Sequence, residues 1–288
     1  MRSRLAVMLA ILAVVVAACS GGASASPATS SPATPDTSPS SAPASATPAP
    51  AAVDLTIYGA ASLKGALEEA KTAYEAAVPG VTLTIATDAS SALAVKIEQG
   101  APADVFLSAD TKNPQALVDK GLTDGPAVVF AGNKLTVIVP ADNPAGITTP
   151  ADLAKAGVKI IAAGDAVPIT RYATQLVDNL AKEPGYPADF AAAYAANIAS
   201  KEDNVKAVVA KIELGEGDAG LVYVTDAAGS TKVATVEVPD SANVLATYAG
   251  VVIKASPKID AAQAFLSWFA GLAGRAILAG FGFLAPPS

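Results

Sequence analysis

The sequence predicts an α/β fold of two lobes with mostly parallel sheets, joined by two crossing strands. Three observations predict it. From Val53 onward, short apolar runs alternate with stretches of helical spacing, which is how strands covered by helices read. That part of the chain is rich in Ala, Val, Leu and Ile and is long enough to enclose two lobes of about 100 residues each. The strand and helix series also starts twice, at Leu55 and again at Leu135, before the chain returns through one more strand to a helical tail.

The first series opens with a strand at 55–58 and a helix over 63–77. In that helix Leu63, Ala66, Leu67, Ala70 and Tyr74 recur at the spacing of one buried face. Pro79 and Gly80 end it. A strand at 81–86, a helix over 91–99 stopped by Gly100 and a buried strand at 103–107 complete the series. Right-handed crossovers bring the two helix starts to the same side of one sheet, where open α/β sheets bind ligands. The second series runs from a strand at 135–140 through a helix after Thr149, a strand at 158–162, helices over 169–180 and 204–214, and a strand at 220–224. The chain then passes through 233–238 and a strand at 248–253 to helical patterns over 261–279, a tail expected to pack back on the first lobe. The expected division is 54–134 with 244–288 for one lobe and 135–243 for the other.

Ahead of the folded part, Arg2 and Arg4 precede an apolar run over 5–18 that is too short for a permanent membrane span and reads as a secretory signal. Its end, Val16-Ala17-Ala18-Cys19, resembles a bacterial lipobox, and Cys19 is the only cysteine of the chain. The expectation is a signal peptide at 1–18 and, over 19–53, a lipidated Cys19 followed by a linker. Residues 20–52 are almost all Ser, Ala, Thr, Pro and Gly, with Asp36 the only charge, a composition that cannot bury a core. The protein is thus expected outside the cytoplasm, held to the outer face of the cell membrane by lipid.

Removing Arg2 and Arg4 with the leader leaves 17 basic residues against 26 acidic ones, a charge near −9. That argues against nucleic acid or an anionic membrane surface as a partner, so the lipid anchor is the only membrane contact expected. The chain has no histidine and no cysteine pair. Zinc and copper sites of the usual ligands, disulfide scaffolds and histidine-based acid–base chemistry are therefore excluded, and neither an enzyme nor a cofactor is expected.

Four predicted helix starts stand out, at Ser62, at the Ser90-Ser91 doublet, near Pro168 and at Asn204. Helix starts carry unpaired N–H groups and the positive end of the macrodipole, so several aimed at one cleft make an anion site without a cationic side chain. Serine is also an ordinary N-cap, and both roles stay open for Ser62 and for the doublet. Tyr223 at the end of an apolar strand reads by default as a core tyrosine. Asp203 and Asn204 read as helix caps, and Arg171 as a solvated charge on a helix face.

AASL at 60–63, SSALAVKIEQGAPADVFLSAD at 90–110, GDAVPITRYA at 164–173, EDNVKAVV at 202–209 and GLVYVTDA at 220–227 together resemble the periplasmic molybdate-binding proteins of ABC importers. The resemblance covers nearly all of 54–288. It implies a type II periplasmic binding fold that closes on one tetrahedral oxyanion, molybdate or tungstate, and delivers it to a membrane permease with its ATPase. It also implies a ligand set of two serine hydroxyls, one tyrosine hydroxyl and amides at helix starts. Carried over residue by residue, these are Ser62, Ser90, Tyr223 and the amides of Ile169 and Val205, with molybdenum held only as the oxyanion. One departure is Thr170, which stands where the family usually has glycine and could shift the loop or add a donor. A monomer is expected, closing by a hinge. The alternatives are a receptor for sulfate, thiosulfate or phosphate, a ligand-sensing lobe, and a hydrolase using Ser62 with Lys64.

Overall fold

The protein is described here by a computed structural model covering residues 52–287. The expected signal peptide, the Cys19 lipobox and the linker through residue 51 lie outside the described residues. In chain order the first half contains β1 (Val53–Ala60), α1 (Lys64–Ala77), β2 (Val81–Asp88), α2 (Ser90–Glu98), β3 (Val105–Ser108), α3 (Lys112–Asp119), β4 (Val128–Asn133) and β5 (Leu135–Pro140). There follow β6 (Ile160–Ala163), α4 (Pro168–Leu180), α5 (Phe190–Ala196), β7 (Ile198–Glu202), α6 (Val205–Glu213), β8 (Ala219–Tyr223) and α7 (Val224–Ala228). The chain closes with β9 (Val233–Val236), β10 (Ala246–Val252), α8 (Ile259–Ala270) and α9 (Leu272–Gly280).

The strands form two five-stranded sheets, ordered β2-β1-β3-β10-β4 and β7-β6-β8-β5-β9. Each is mixed. β1 pairs in parallel with β2 and β3, and β6 with β7 and β8, whereas β10 and β5 run antiparallel to both of their neighbours. The two orders are one pattern used twice, and the reversed strand in each sheet is the first one after the chain has crossed from the other. Lys134 alone separates β4 in the first sheet from β5 in the second, and residues 237–245 carry the return from β9 to β10.

All residues of β3, β5 and β8 are buried, because helices or loops cover both faces of each sheet centre. β1 carries the first buried face through Leu55 and Ile57, against which α1 lays Ala66, Leu67, Ala70 and Tyr74. Gly59 permits that approach, since a Cβ there would meet Leu67 Cδ1 at 2.3 Å. The tail packs on the first sheet as expected: Gly132 N–H donates to the Leu284 carbonyl at 2.9 Å, and the Phe283 ring stands edge-on to Tyr248 with centroids 5.3 Å apart.

The expected helix after Thr149 is instead a 3-10 turn, Pro150–Ala154, stapled by the Asp152 carboxylate accepting from the amides of Thr148 and Thr149. Helices α3, α5 and α7 and strands β4 and β7 carry too little pattern to be read in advance. β7, IASKE, alternates half-buried and exposed residues at a sheet edge, and β4 runs into β5 across one residue.

Candidate functional site

Parallel strands deliver their following helices to one edge of each sheet, so the helix starts converge where the two sheets face one another. A small cavity lies there, walled by the turn after β1 and the starts of α2, α4 and α6, with the end of β8 completing it. Ser62, Ser90, Ile169, Val205 and Tyr223 all line it, and none of its lining residues carries a formal charge. Larger hollows exist, including one of about 200 Å³ between α4 and α5, but its wall is largely aliphatic and, of the helix starts that wall the cavity, only that of α4 reaches it.

Ser62 sits in the single 3-10 turn Ala61–Leu63 that links β1 to α1, and it is buried. Its Oγ lies 2.9 Å from the hydroxyl of Tyr248, a residue 186 positions away on β10. Ser90 opens α2, is buried and lines the cavity, whereas Ser91 is half-buried and is not among the lining residues. The Ser90 Oγ accepts from the Ala109 amide at 3.0 Å, so its own proton is left for the cavity.

Ile169 and Val205 occupy the first turns of α4 and α6, where N–H groups have no acceptor within the helix. Pro168 suits its place at the start of α4, since it lacks the N–H that would be orphaned. Asn204 caps α6 by accepting from the Ala207 amide at 3.1 Å, as its sequence position suggested. Thr170 turns away from the cavity: its hydroxyl donates to the carbonyls of Ala163 at 3.0 Å and Gly164 at 2.8 Å. It therefore adds no donor to the site, and it ties the start of α4 to the end of β6.

Tyr223 is the most telling residue. It is fully buried at the end of β8, and its hydroxyl has no hydrogen-bond partner among the described residues. Burial pushes that hydroxyl well above the usual tyrosine range, and neighbouring Tyr248, Tyr172, Asp226 and Asp110 push it further, so it stays protonated and can only gain by donating. Its ring is clamped edge-on between those of Tyr172 and Tyr248, at centroid distances of 6.4 and 5.7 Å. The fully buried Asp226 lies 2.8 Å from Lys206 Nζ, yet among the described residues neither of its carboxylate oxygens has a well-directed hydrogen bond. Burial raises its pKa, and Lys206 offsets only part of that.

Sequence reasoning missed two groups around the cavity. Tyr248 sits in an apolar strand and reads as core. Arg171 is exposed, as expected of a charge on a helix face, and what was missed is that it also lies over the Tyr172 ring and pairs with the buried Asp110 beyond the end of β3. The cavity is thus ringed by neutral donors drawn from both sheets, an arrangement that can replace the hydration shell of a small anion without a countercharge.

Residues 55–284 match the family model of the bacterial extracellular solute-binding proteins. The chain is 34% identical over 240 residues to the molybdate-binding protein ModA of Mycobacterium tuberculosis, covering 83% of this chain and 87% of that protein. It is 30% identical over 246 residues to the molybdate-binding protein ModA of Haemophilus influenzae, covering 82% and 91%. Among solved structures, the periplasmic molybdate-binding protein of Azotobacter vinelandii superposes with a TM-score of 0.68 at 24% identity, over 81% of this chain and all of that one. The chain belongs to the family of bacterial extracellular solute-binding proteins.

Proposed function

We propose that this protein is an extracytoplasmic receptor that closes on molybdate, or on tungstate, and hands it to an ABC permease driven by its ATPase. The observation that carries the reading is the buried, unpartnered Tyr223 hydroxyl, set in an uncharged cavity on which the starts of α2, α4 and α6 converge. The ModA relatives support the choice of anion. Tungstate follows from chemistry, because it is a tetrahedral dianion of nearly the same size.

In this reading the Ser62 and Ser90 hydroxyls donate from the first sheet, while Tyr223 and the amides of Ile169 and Val205 donate from the second. The formal charge of −7 for the whole chain does not oppose binding, because oriented N–H dipoles act at contact while the surface charge is distant and screened. All five contacts come from one chain, which supports a monomeric receptor. Lipidation at Cys19 would hold it to the outer face of the membrane, and the lipobox-like Val16-Ala17-Ala18-Cys19 supports that anchor. Binding without turnover is favoured over a Ser62–Lys64 hydrolase, since Lys64 is exposed and the neighbour of the Ser62 hydroxyl is a phenol.

Calorimetric titration of the purified protein with molybdate, tungstate, sulfate and phosphate in one buffer tests the reading. Tight one-to-one binding of the first two, with the others silent, is expected. Preference for sulfate or phosphate would overturn the choice of anion, and binding of none would overturn the receptor.

A further inference from the structure

The polarity of each hydroxyl in the cavity decides whether it attracts or repels an anion. A serine hydroxyl rotates and can present either its proton or its lone pairs. For Ser90 the choice is made by the Ala109 amide, which donates to its Oγ and leaves the serine proton for the cavity. Ser62 has no such amide. Its partner is the hydroxyl of Tyr248, 2.9 Å away, and geometry alone lets either oxygen donate.

Burial breaks the tie. The Tyr248 side chain is fully buried, and Ser62 Oγ, 2.9 Å away, is the hydrogen-bond partner of its hydroxyl among the described residues, so the phenol proton has that oxygen as its acceptor. Were Ser62 to donate instead, a fully buried phenol proton would lose its partner, and the serine lone pairs would face the anion.

We infer that Tyr248 is a positioning residue which holds the Ser62 hydroxyl as a donor into the cavity. The inference rests on the molybdate-receptor reading. Tyr248 lies just after the return crossing between the sheets, so its contact with Ser62 joins that crossing to the cavity.

The test is a double-mutant cycle on the full protein, with molybdate affinity measured by calorimetry for wild type, Tyr248→Phe, Ser62→Ala and the double variant. Near-UV circular dichroism serves as the control of fold. Tyr248→Phe is expected to weaken binding about 5- to 20-fold when Ser62 is present and less than about 2-fold when it is Ala. Equal losses in the two backgrounds, or no loss in either, would overturn the assignment. Wild type failing to bind molybdate would overturn the receptor reading, and this inference with it, a result distinct from either of those. If Tyr248→Phe does not fold, Tyr248→Met is put through the same cycle, with a loss expected that again vanishes without Ser62.

Discussion

Arg171 on α4 reaches the buried carboxylate of Asp110, beyond the end of β3, at 3.5 Å, and so ties the cavity-lining helix of the second sheet to the first. Asp110 is already held by the Ser108 hydroxyl at 2.8 Å and the Asn113 amide at 3.0 Å, so it is a preformed acceptor, and only the Arg171 contact depends on the two lobes being together. A second contact across the same cleft, from Asn204 to Asp88 at 3.5 Å, is longer and weaker.

Arg171→Ala is expected to weaken molybdate binding about 3- to 10-fold by raising the population of open protein, with thermal stability nearly unchanged. The size follows from the exposure of the guanidinium, which holds the pair near the value of a surface ion pair or slightly above it. Small-angle scattering with and without molybdate checks this. An unchanged open population would mean that the pair does not contribute to closure.

Tyr223→Phe should act with opposite signs on stability and on binding. Without ligand, a buried hydroxyl lacking a partner costs stability, so its removal is expected to leave the melting temperature unchanged or raise it by about 2–4 °C. With molybdate the same change should cost about 1–3 kcal/mol of affinity. Differential scanning calorimetry with and without ligand reads both, and a destabilised ligand-free protein would contradict the account.

Much of this fold is legible in the sequence because its strands are short apolar runs and its helices have one apolar face, as in α1 and α6. The site was less so. Ser62, Ser90 and Tyr223 look like caps and core until they are seen sharing one cavity, and their ligand roles came from the resemblance rather than from periodicity. Tyr248 and Asp110 act through partners 186 and 61 positions away in sequence, and no local pattern announces such pairs. The edge strand β7 and the short helix α5 were hidden by weak patterning.

Thr170 separates a structural from a ligand role. Its hydroxyl is committed to the Ala163 and Gly164 carbonyls, so Thr170→Gly is expected to cost about 1–2 kcal/mol of stability and to change molybdate affinity by less than about 2-fold. Chemical denaturation and calorimetry on one preparation check both. A switch of anion preference would show that this residue shapes the cavity after all.

Asp226 predicts a pH effect of definite sign. Burial raises its pKa in the folded protein, so its contribution to stability is fully present below the unfolded carboxylate value of about 3.9 and is lost as pH rises through the raised value. Asp226→Asn removes that loss. Relative to wild type, the variant should therefore gain in urea unfolding midpoint as pH rises above the unfolded value of about 3.9, whereas a difference constant with pH would contradict the assignment.

The most direct test of the central claim is anomalous X-ray scattering from crystals of the protein grown with molybdate. A single molybdenum peak is predicted between the two sheets, with its oxygens within hydrogen-bond distance of Ser62 Oγ, Ser90 Oγ, the Tyr223 hydroxyl and the Ile169 and Val205 amides. A peak elsewhere on the chain, or oxygens held by charged side chains, would contradict the claim that neutral donors at converging helix starts form the site.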